Sequence, residues 1–413
     1  MNPEEMSGRD SDPIELPLGQ GPEALGERGL PEGAHVLGSV DSGVAGPTLV
    51  ALGGIHGNEP SGVEAAKRVL ARLEAGEVRF CGRFFAVAGN LSALERGERY
   101  LTRDLNRAWT EGEVRLLRER GPHPEDVEGR EQAELLALFD RLEAQREADG
   151  RRPPLVLVDM HSSSAPGAPF TFVADTLRSR AVALKLPVPV ILGIEEWIDG
   201  TLLEHLQERG HVAVAVEGGQ HDDPRTVDRH ETALWLAMVG AGSIEQERLD
   251  ASLGPRFGLL KDSARGNPGV VEVVHRQALS PDDGFRMREG YVNFDRVDAG
   301  EVLASDQSGE IPCPSSGVLL LPLYQGKGDD GFFLGHEVRR SWLRVSALLR
   351  RLRMDKLVPL LPGLRKDPDH PAQVTVDRRV ARFWAREVLH LLGYRQVSAD
   401  AQRMVFRRRV EAG

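Results

Sequence analysis

Four short segments of the chain combine histidine, carboxylate or arginine side chains with glycines or apolar runs that can position them. The first segment is 53–60, Gly-Gly-Ile-His-Gly-Asn-Glu-Pro, which places His56 and Glu59 three residues apart at the start of a predicted helix. The glycines let the backbone turn tightly out of the preceding strand, so the imidazole and the carboxylate can point to one side. Such a pair suits Zn²⁺, which accepts nitrogen and oxygen ligands.

The second segment supplies a third candidate ligand. His161 follows an apolar predicted strand, 155–159, and precedes the three serines 162–164. Asp159 lies two residues before it and can orient the imidazole by accepting a hydrogen bond. Two histidines and one glutamate leave one position of a tetrahedral zinc ion open, as in catalytic rather than structural zinc sites. We therefore expect one Zn²⁺ per chain, held by His56, Glu59 and His161.

The remaining two segments supply a candidate base and a set of cations. Glu217 ends an apolar run and is followed by two glycines, so it is difficult to explain as a solvated surface residue. Beside a metal it can take a proton from water and return it to a leaving group. The segment 99–107, Arg-Tyr-Leu-Thr-Arg-Asp-Leu-Asn-Arg, offers arginines that bind carboxylates in two-pronged fashion and stabilise an oxyanion. Taken alone, each of the four segments also has a purely structural explanation.

The elements around these segments predict an α/β domain with a largely parallel sheet. Strands are predicted at 48–52, 83–88, 155–159, 171–173, 188–192 and 211–216, and helices at 61–74, 129–146 and 232–239. Ligands of open α/β sheets bind beyond the carboxyl ends of the strands, which is where all four segments are expected. The combination therefore favours one site over four unrelated polar loops.

The chain of 413 residues is too long for one ordinary core. We expect a flexible lead-in over 1–46 with a short strand near 34–37, followed by the α/β domain over 47–245. A small, mainly antiparallel β domain is predicted over 246–338. A basic, mainly helical extension is predicted over 339–413, with helices near 342–352 and 380–392, a hinge over 359–371 and a closing strand at 402–408.

Charge is distributed unevenly along the chain. The net charge is −11, but residues 339–413 carry 18 Lys/Arg against 7 Asp/Glu, a net +11, which leaves −22 on the rest. The acidic body argues against nucleic acid as the main partner. For the basic extension, docking on the acidic body is one interpretation, and an anionic partner or a contact in a homo-oligomer is the other.

The composition also bears on location. No run of about 18 apolar residues predicts a transmembrane helix, so we expect no membrane partner. The first 46 residues lack the pattern of a secretory or transit peptide, and the two cysteines, Cys81 and Cys313, fit a reducing compartment. A cytoplasmic protein is expected.

The motifs Gly-Gly-x-His-Gly-Asn-Glu, Asp-Leu-Asn-Arg, Asp-Met-His and Glu-Gly-Gly-Gln-His, in this order, resemble the succinylglutamate desuccinylase/aspartoacylase family. This family belongs to the zinc carboxypeptidase-like group. The resemblance covers about 47–245 and extends more loosely to about 335. It implies a zinc-carboxypeptidase-like catalytic domain with a mixed, largely parallel sheet. It also implies hydrolysis of the amide bond of a small N-acyl amino acid.

The resemblance also implies roles for individual residues. By motif, they are the zinc ligands His56, Glu59 and His161, the general base Glu217, the carbonyl-polarising Arg99, and the carboxylate-binding pair Asn106 and Arg107. The chain departs from the family pattern at Met160, where leucine is commoner, and in the serines that follow His161. The acyl group and the amino acid stay open, because the loops 170–200 and 326–331 lack a clear motif. A metallocarboxypeptidase acting on peptide C-termini and a non-catalytic zinc-binding interaction protein remain as alternatives.

Overall fold

The computed structural model describes residues 23–24, 35–150, 153–280, 282–368, 370–381 and 384–411. Its strands are β1 (Glu23–Ala24), β2 (Val36–Asp41), β3 (Thr48–Gly53), β4 (Arg83–Ala88), β5 (Val156–Ser163), β6 (Phe170–Phe172), β7 (Val190–Leu192), β8 (Val212–Gln220), β9 (Val270–Ala278), β10 (Arg286–Met287), β11 (Arg296–Val297), β12 (Val302–Asp306), β13 (Gly309–Pro312), β14 (Gly317–Leu320), β15 (Asp330–Glu337), β16 (Leu364–Lys366), β17 (Gln373–Asp377), β18 (Tyr394–Ala399) and β19 (Arg403–Arg408). Its α-helices are α1 (Ser61–Glu74), α2 (Leu91–Arg96), α3 (Glu111–Arg120), α4 (Val127–Ala148), α5 (Leu177–Ala183), α6 (Leu202–Glu208), α7 (Arg225–Ala241), α8 (Gln246–Ser263), α9 (Arg340–Arg351), α10 (Arg378–Ala381) and α11 (Ala385–Leu391). Short 3-10 helices lie at Leu105–Arg107, Ile194–Glu196 and Met354–Leu360. Among the described helices, none combines the length and the apolar character needed to cross a lipid bilayer.

A twelve-stranded sheet forms the centre of the molecule, in the order β1-β2-β4-β3-β5-β8-β6-β7-β9-β15-β14-β11. From β2 to β9, five of the seven neighbouring strand pairs are parallel and two are antiparallel. One apolar cluster joins one face of the sheet to α1, α5 and α7, and a second joins the other face to α4 and α6. The predicted α/β class with a mixed, largely parallel sheet is confirmed.

The unit of β3 and α1 carries the first site segment. Every residue of β3 is buried between its parallel neighbours β4 and β5. Helix α1 buries an apolar stripe against this sheet, as its sequence predicted. A Cβ atom at Gly53 would lie 2.3 Å from the backbone carbonyl carbon of Gly62, so only glycine allows this approach. The close approach sends the chain directly from the strand into the turn that holds His56 and Glu59.

Strands β5 and β8 are longer than the sequence predicted. They end at Ser163 and Gln220, so His161 and Glu217 lie within strands and not beyond their ends. The two residues are register partners in the parallel β5–β8 pair. The apolar run in the sequence marks only the part of each strand that lies in the core. The ladder continues because β8 is paired on both sides, with β5 and with β6.

The β-rich part that follows α7 is built largely into the central sheet. Strand β9 pairs in parallel with β7, and β15, β14 and β11 then add antiparallel neighbours. Strands β10, β12 and β13 form a separate three-stranded antiparallel sheet. The sequence predicted β structure here but not α8, and not the continuation of the central sheet. A strand's residue pattern indicates that it forms, whereas its pairing partner depends on distant segments.

The C-terminal extension contains a four-stranded antiparallel sheet, in the order β16-β17-β19-β18, beside its helices. The prediction of a mainly helical extension found β19 but missed the other three strands. These are short and rich in charged or polar residues, so the apolar pattern that identifies a strand is weak in them. The strand predicted near 34–37 corresponds to β2. The flexibility predicted for the lead-in concerns residues that, apart from 23–24 and 35–46, lie outside those described.

The extension docks on the acidic body through buried ion pairs. The guanidinium of Arg350 lies 2.6 Å from the carboxylate of Asp175, and that of Arg409 lies 2.6 Å from Glu195. Leu343 of α9 joins the apolar cluster beneath the central sheet. Two interpretations of the basic extension were open. These contacts favour docking on the acidic body, where the extension neutralises part of the body's charge, over binding to an anionic partner.

Candidate metal centre and active site

The three predicted metal ligands meet in one buried group. The Nδ1 atom of His56 lies 3.0 Å from Oε1 of Glu59, and Nδ1 of His161 lies 3.2 Å from Oε2 of the same carboxylate. All three side chains are buried, and their candidate ligand atoms lie within 4.8 Å of one another. Two imidazoles and one carboxylate converging at this spacing can hold a divalent metal ion.

Two further carboxylates orient the histidines. The Nε2 atom of His161 lies 3.0 Å from Oδ2 of Asp159, as the sequence predicted. The Nε2 atom of His56 lies 3.1 Å from Oδ1 of Asp104, a residue to which the sequence assigned no role. An acceptor on the far ring nitrogen fixes the tautomer and turns the near nitrogen toward the metal position. The only sequence signal for Asp104 was its place at the head of the Asp-Leu-Asn-Arg motif.

The electrostatics of this group also suit a cation. Burial alone would raise the pKa of Glu59, but His56 and His161 hold that pKa well below its ordinary value. Burial would lower the pKa of His161, yet Asp159 and Glu59 raise it well above the usual range. The site therefore attracts positive charge, and protons compete with a metal ion for the same nitrogens. The donor set and its field together fit a bound divalent cation.

Glu217 lies beside this group, as predicted. It is 7% exposed, and its Oε2 atom has no hydrogen-bond partner among the described residues. Burial raises the pKa of Glu217 to about 8, and the nearby Glu59 adds to the effect while His161 opposes it. A buried carboxylate without a partner is costly in free energy, and an adjacent cation favours its ionised form. The orphaned oxygen of Glu217 is thus a second observation that fits a metal ion here.

Arg99 also reaches the site. Its guanidinium donates to Oε1 of Glu59 at 3.4 Å and to Oδ2 of Asp104 at 3.1 Å. Although burial would lower the pKa of Arg99, the two carboxylates raise it, so the side chain is a fixed positive charge beside the candidate ligands. Its predicted part in polarising a carbonyl group stays a prediction.

Glu128 of α4, which the sequence did not single out, holds the arginine-bearing segment in place. Its carboxylate accepts backbone N–H bonds from Leu101 at 2.7 Å, Thr102 at 2.8 Å and Arg103 at 3.2 Å. Burial would raise its pKa, but these donors lower the pKa of Glu128 to about 2. No local pattern marks this residue, because its partners are 25–27 positions away in the chain.

Asn106 and Arg107 reach the same cavity, but both are engaged by the protein itself. The Oδ1 atom of Asn106 accepts the backbone N–H of Leu202 at 3.0 Å, at the start of α6. The guanidinium of Arg107 donates to Oδ2 of Asp330 at 2.7 Å. Asp330 begins β15 and was not among the predicted site residues. The predicted substrate carboxylate therefore meets an internal competitor at Arg107.

All seven predicted site residues line a single cavity of about 120 Å³. Its remaining wall mixes apolar residues, such as Phe172 and Ile198, with polar ones, such as Ser163 and Asp330. Pockets for drug-sized ligands usually span about 300–1,000 Å³, so this cavity suits a small ligand. The structure thus brings together every residue that the sequence proposed for the site.

Comparison with known proteins agrees with this geometry. A family model described as the succinylglutamate desuccinylase/aspartoacylase catalytic domain matches residues 45–186. The succinylglutamate desuccinylase of Pseudomonas paraeruginosa is 36% identical over 78 residues, which are 19% of this chain and 24% of that protein. That of Pseudomonas fluorescens is 39% identical over 80 residues, again 19% and 24%. The chain thus spans about a quarter of the length of these relatives.

Solved structures show the same fold over a longer stretch. A succinylglutamate desuccinylase/aspartoacylase from Rhodobacter sphaeroides aligns with a TM-score of 0.51 at 19% identity, covering 72% of this chain and 87% of that one. The product-bound ectoine utilization protein EutE (DoeB) from Ruegeria pomeroyi aligns with a TM-score of 0.50 at 19% identity, covering 71% and 86%. Residues 45–186 therefore match the catalytic domain of the succinylglutamate desuccinylase/aspartoacylase family, and these solved structures show a similar fold over a longer stretch of the chain.

Proposed function

We propose that this protein is a zinc-dependent deacylase that hydrolyses the amide bond of a small N-acyl amino acid. The observation that carries the proposal is the meeting of Glu217 with the His56–Glu59–His161 group in one buried cavity. The match of residues 45–186 to the desuccinylase/aspartoacylase catalytic domain supports the same reaction class. The small volume of the cavity agrees with a small-molecule substrate.

The roles of the protein groups follow from their positions. Zinc held by the three ligands would act as a Lewis acid and lower the pKa of water toward about 7. Glu217 takes the proton of the attacking water, whose oxygen adds to the amide carbonyl carbon, and then donates that proton to the departing nitrogen. The C–N bond breaks, and a carboxylic acid and an amine are released.

Arg99 stabilises the negative charge that develops on the carbonyl oxygen. Its guanidinium stays ionised because Asp104 and Glu59 flank it. One such donor is typically worth about 3 kcal/mol of transition-state stabilisation. Asn106 and Arg107, on the same cavity wall, orient the substrate, with Arg107 shared with Asp330.

The reaction class is tested by a substrate screen. Full-length protein supplied with zinc is incubated with a library of N-acyl amino acids and with peptides bearing free C-termini, and products are identified by mass spectrometry. Release of free amino acids from the acyl compounds is expected. Cleavage of peptides alone would favour a metallocarboxypeptidase, and bound metal without any hydrolysis would favour a non-catalytic zinc-binding protein.

The role of Glu217 is tested by Glu217→Gln. Removing the general base is expected to lower turnover by about 10²–10⁴-fold while the zinc content stays at the wild-type level. The matched control is Glu95→Gln, which alters an exposed carboxylate on α2 and should leave turnover unchanged. Near-normal activity of Glu217→Gln would refute the assignment.

A further inference from the structure

We propose that Asp330 is a specificity-determining residue. It pairs with Arg107 from within the protein and thereby excludes a second substrate carboxylate from the part of the cavity beside Arg107, which we call the Arg107 subsite. The proposal rests on the proposed function for its meaning in catalysis. The contacts from which it is argued are present in the protein without any substrate.

Asp330 is held by two arginines at once. Its Oδ2 atom accepts from Arg107 at 2.7 Å, and its Oδ1 atom accepts from Nε of Arg276 at 2.5 Å. Arg276 is itself fixed, because its NH1 group donates to the backbone carbonyl of Trp197 at 2.8 Å. All three charged side chains are at most one quarter exposed. Charge-assisted hydrogen bonds of this kind are the stronger ones in proteins.

Two of the three nitrogens of the Arg107 guanidinium are already engaged within the protein, and its buried Nε atom has no partner among the described residues. Its NH2 group donates to Asp330, and its NH1 group donates to the backbone carbonyl of Asn106 at 3.0 Å. Two-pronged recognition of a carboxylate requires two free and parallel N–H donors. An incoming carboxylate must therefore displace Asp330 to engage Arg107 in two-pronged fashion, or bind through Nε with Asp330 still in place.

A second carboxylate on the cavity wall acts in the same direction. Glu195 accepts from Arg409 through Oε1, while its buried Oε2 atom has no partner among the described residues. Both Asp330 and Glu195 line the cavity that contains the candidate metal ligands. A ligand carboxylate must compete with these two carboxylates for Arg107 and Arg409, whereas an uncharged or hydrogen-bond-donating group does not compete with them. The Arg107 subsite accordingly favours substrates whose acyl group lacks the second carboxylate of a dicarboxylic acid.

The test compares succinate with butyrate, which share a chain length and differ by one carboxylate. Binding of each to the zinc-supplemented full-length protein is measured by calorimetry for the wild type and for Asp330→Asn. The matched control is Asp282→Asn, because Asp282 is exposed and is not among the residues that line the cavity. Asp330→Ser serves as a second variant if the asparagine protein melts at a lower temperature.

The wild type should bind succinate no more tightly than butyrate, because the second carboxylate of succinate gains no bond to Arg107. Asp330→Asn should bind succinate about tenfold tighter or better, with butyrate unchanged, because a freed arginine gains a charge-assisted bond. Adding Arg107→Gln to Asp330→Asn should abolish that gain, and Asp282→Asn should behave as the wild type. A wild type that already prefers succinate tenfold, or variants at position 330 without any gain, would overturn the proposal.

Turnover separates this inference from the proposed function. If the wild type cleaves N-acetyl and N-succinyl amino acids, Asp330→Asn should shift the ratio of kcat/KM values toward the N-succinyl compound. An unchanged ratio refutes the role of Asp330 and leaves the deacylase intact. If no acyl compound is cleaved, the proposed function fails, while the binding comparison still decides whether Asp330 blocks the subsite.

Discussion

Raising the pH should loosen the C-terminal extension by removing the proton from His390. This residue of α11 is 14% exposed and bridges the extension to the body. Its Nδ1 atom lies 2.5 Å from Glu272 on β9, and its Nε2 atom lies 3.0 Å from Glu196. Burial would lower the pKa of His390, but the two carboxylates raise it to about 9. The imidazolium is thus the charged form that the folded state prefers.

The sign and the size of the effect follow from linkage. Because the pKa of His390 in the folded protein is raised above the ordinary 6.5, protonated His390 stabilises the docked extension. This stabilisation is complete below pH 6.5 and is lost as the pH rises through about 9. Each tenfold difference in proton affinity corresponds to about 1.4 kcal/mol, so the upper limit of the loss is about 3 kcal/mol. His390→Gln keeps a polar side chain but cannot be protonated, and it should lack this pH dependence.

Native-state amide hydrogen exchange measures the opening of the extension without requiring the whole chain to unfold in two states. Peptides covering 385–408 are compared at about pH 6.5 and about pH 9 in the wild type and in His390→Gln, so that intrinsic exchange rates cancel. His370→Gln, at an exposed histidine of the same extension, is the control and should follow the wild type. The same loss of protection in wild type and His390→Gln would refute the reasoning.

Two further predictions concern the geometry of the candidate metal site. Asp159→Asn should weaken metal binding by about 10–100-fold in a chelator competition, because the amide orients the ring of His161 less well than the carboxylate; unchanged affinity would contradict the role of Asp159. Gly57→Ala should lower both metal binding and the melting temperature, since a Cβ atom there would lie 2.1 Å from the backbone carbonyl carbon of Ala93. Gly112→Ala, where a Cβ atom meets nothing within 4 Å, should be tolerated, and equal behaviour of the two variants would disprove the steric argument.

The sequence was sufficient to place the candidate site because the elements that carry it are local. Helix α1 has the bounds that its apolar periodicity predicted, and the glycines before His56 mark the turn. In a largely parallel sheet, the carboxyl ends of neighbouring strands lie at one edge. This rule brought His161 and Glu217 together before their register was known, although their strands proved longer than predicted.

What the sequence determined by itself was therefore the α/β class, the candidate metal ligands and the adjacent base, since each depends on a short motif and on strand order. Only the tertiary structure decided which groups surround them. Asp330 meets Arg107 across 223 positions, and Asp175 meets Arg350 across 175. Such pairs form where distant segments pack against each other, and an ion pair produces no periodic pattern in the sequence. The proposed selectivity of the cavity and the docking of the basic extension are for that reason properties of the folded molecule.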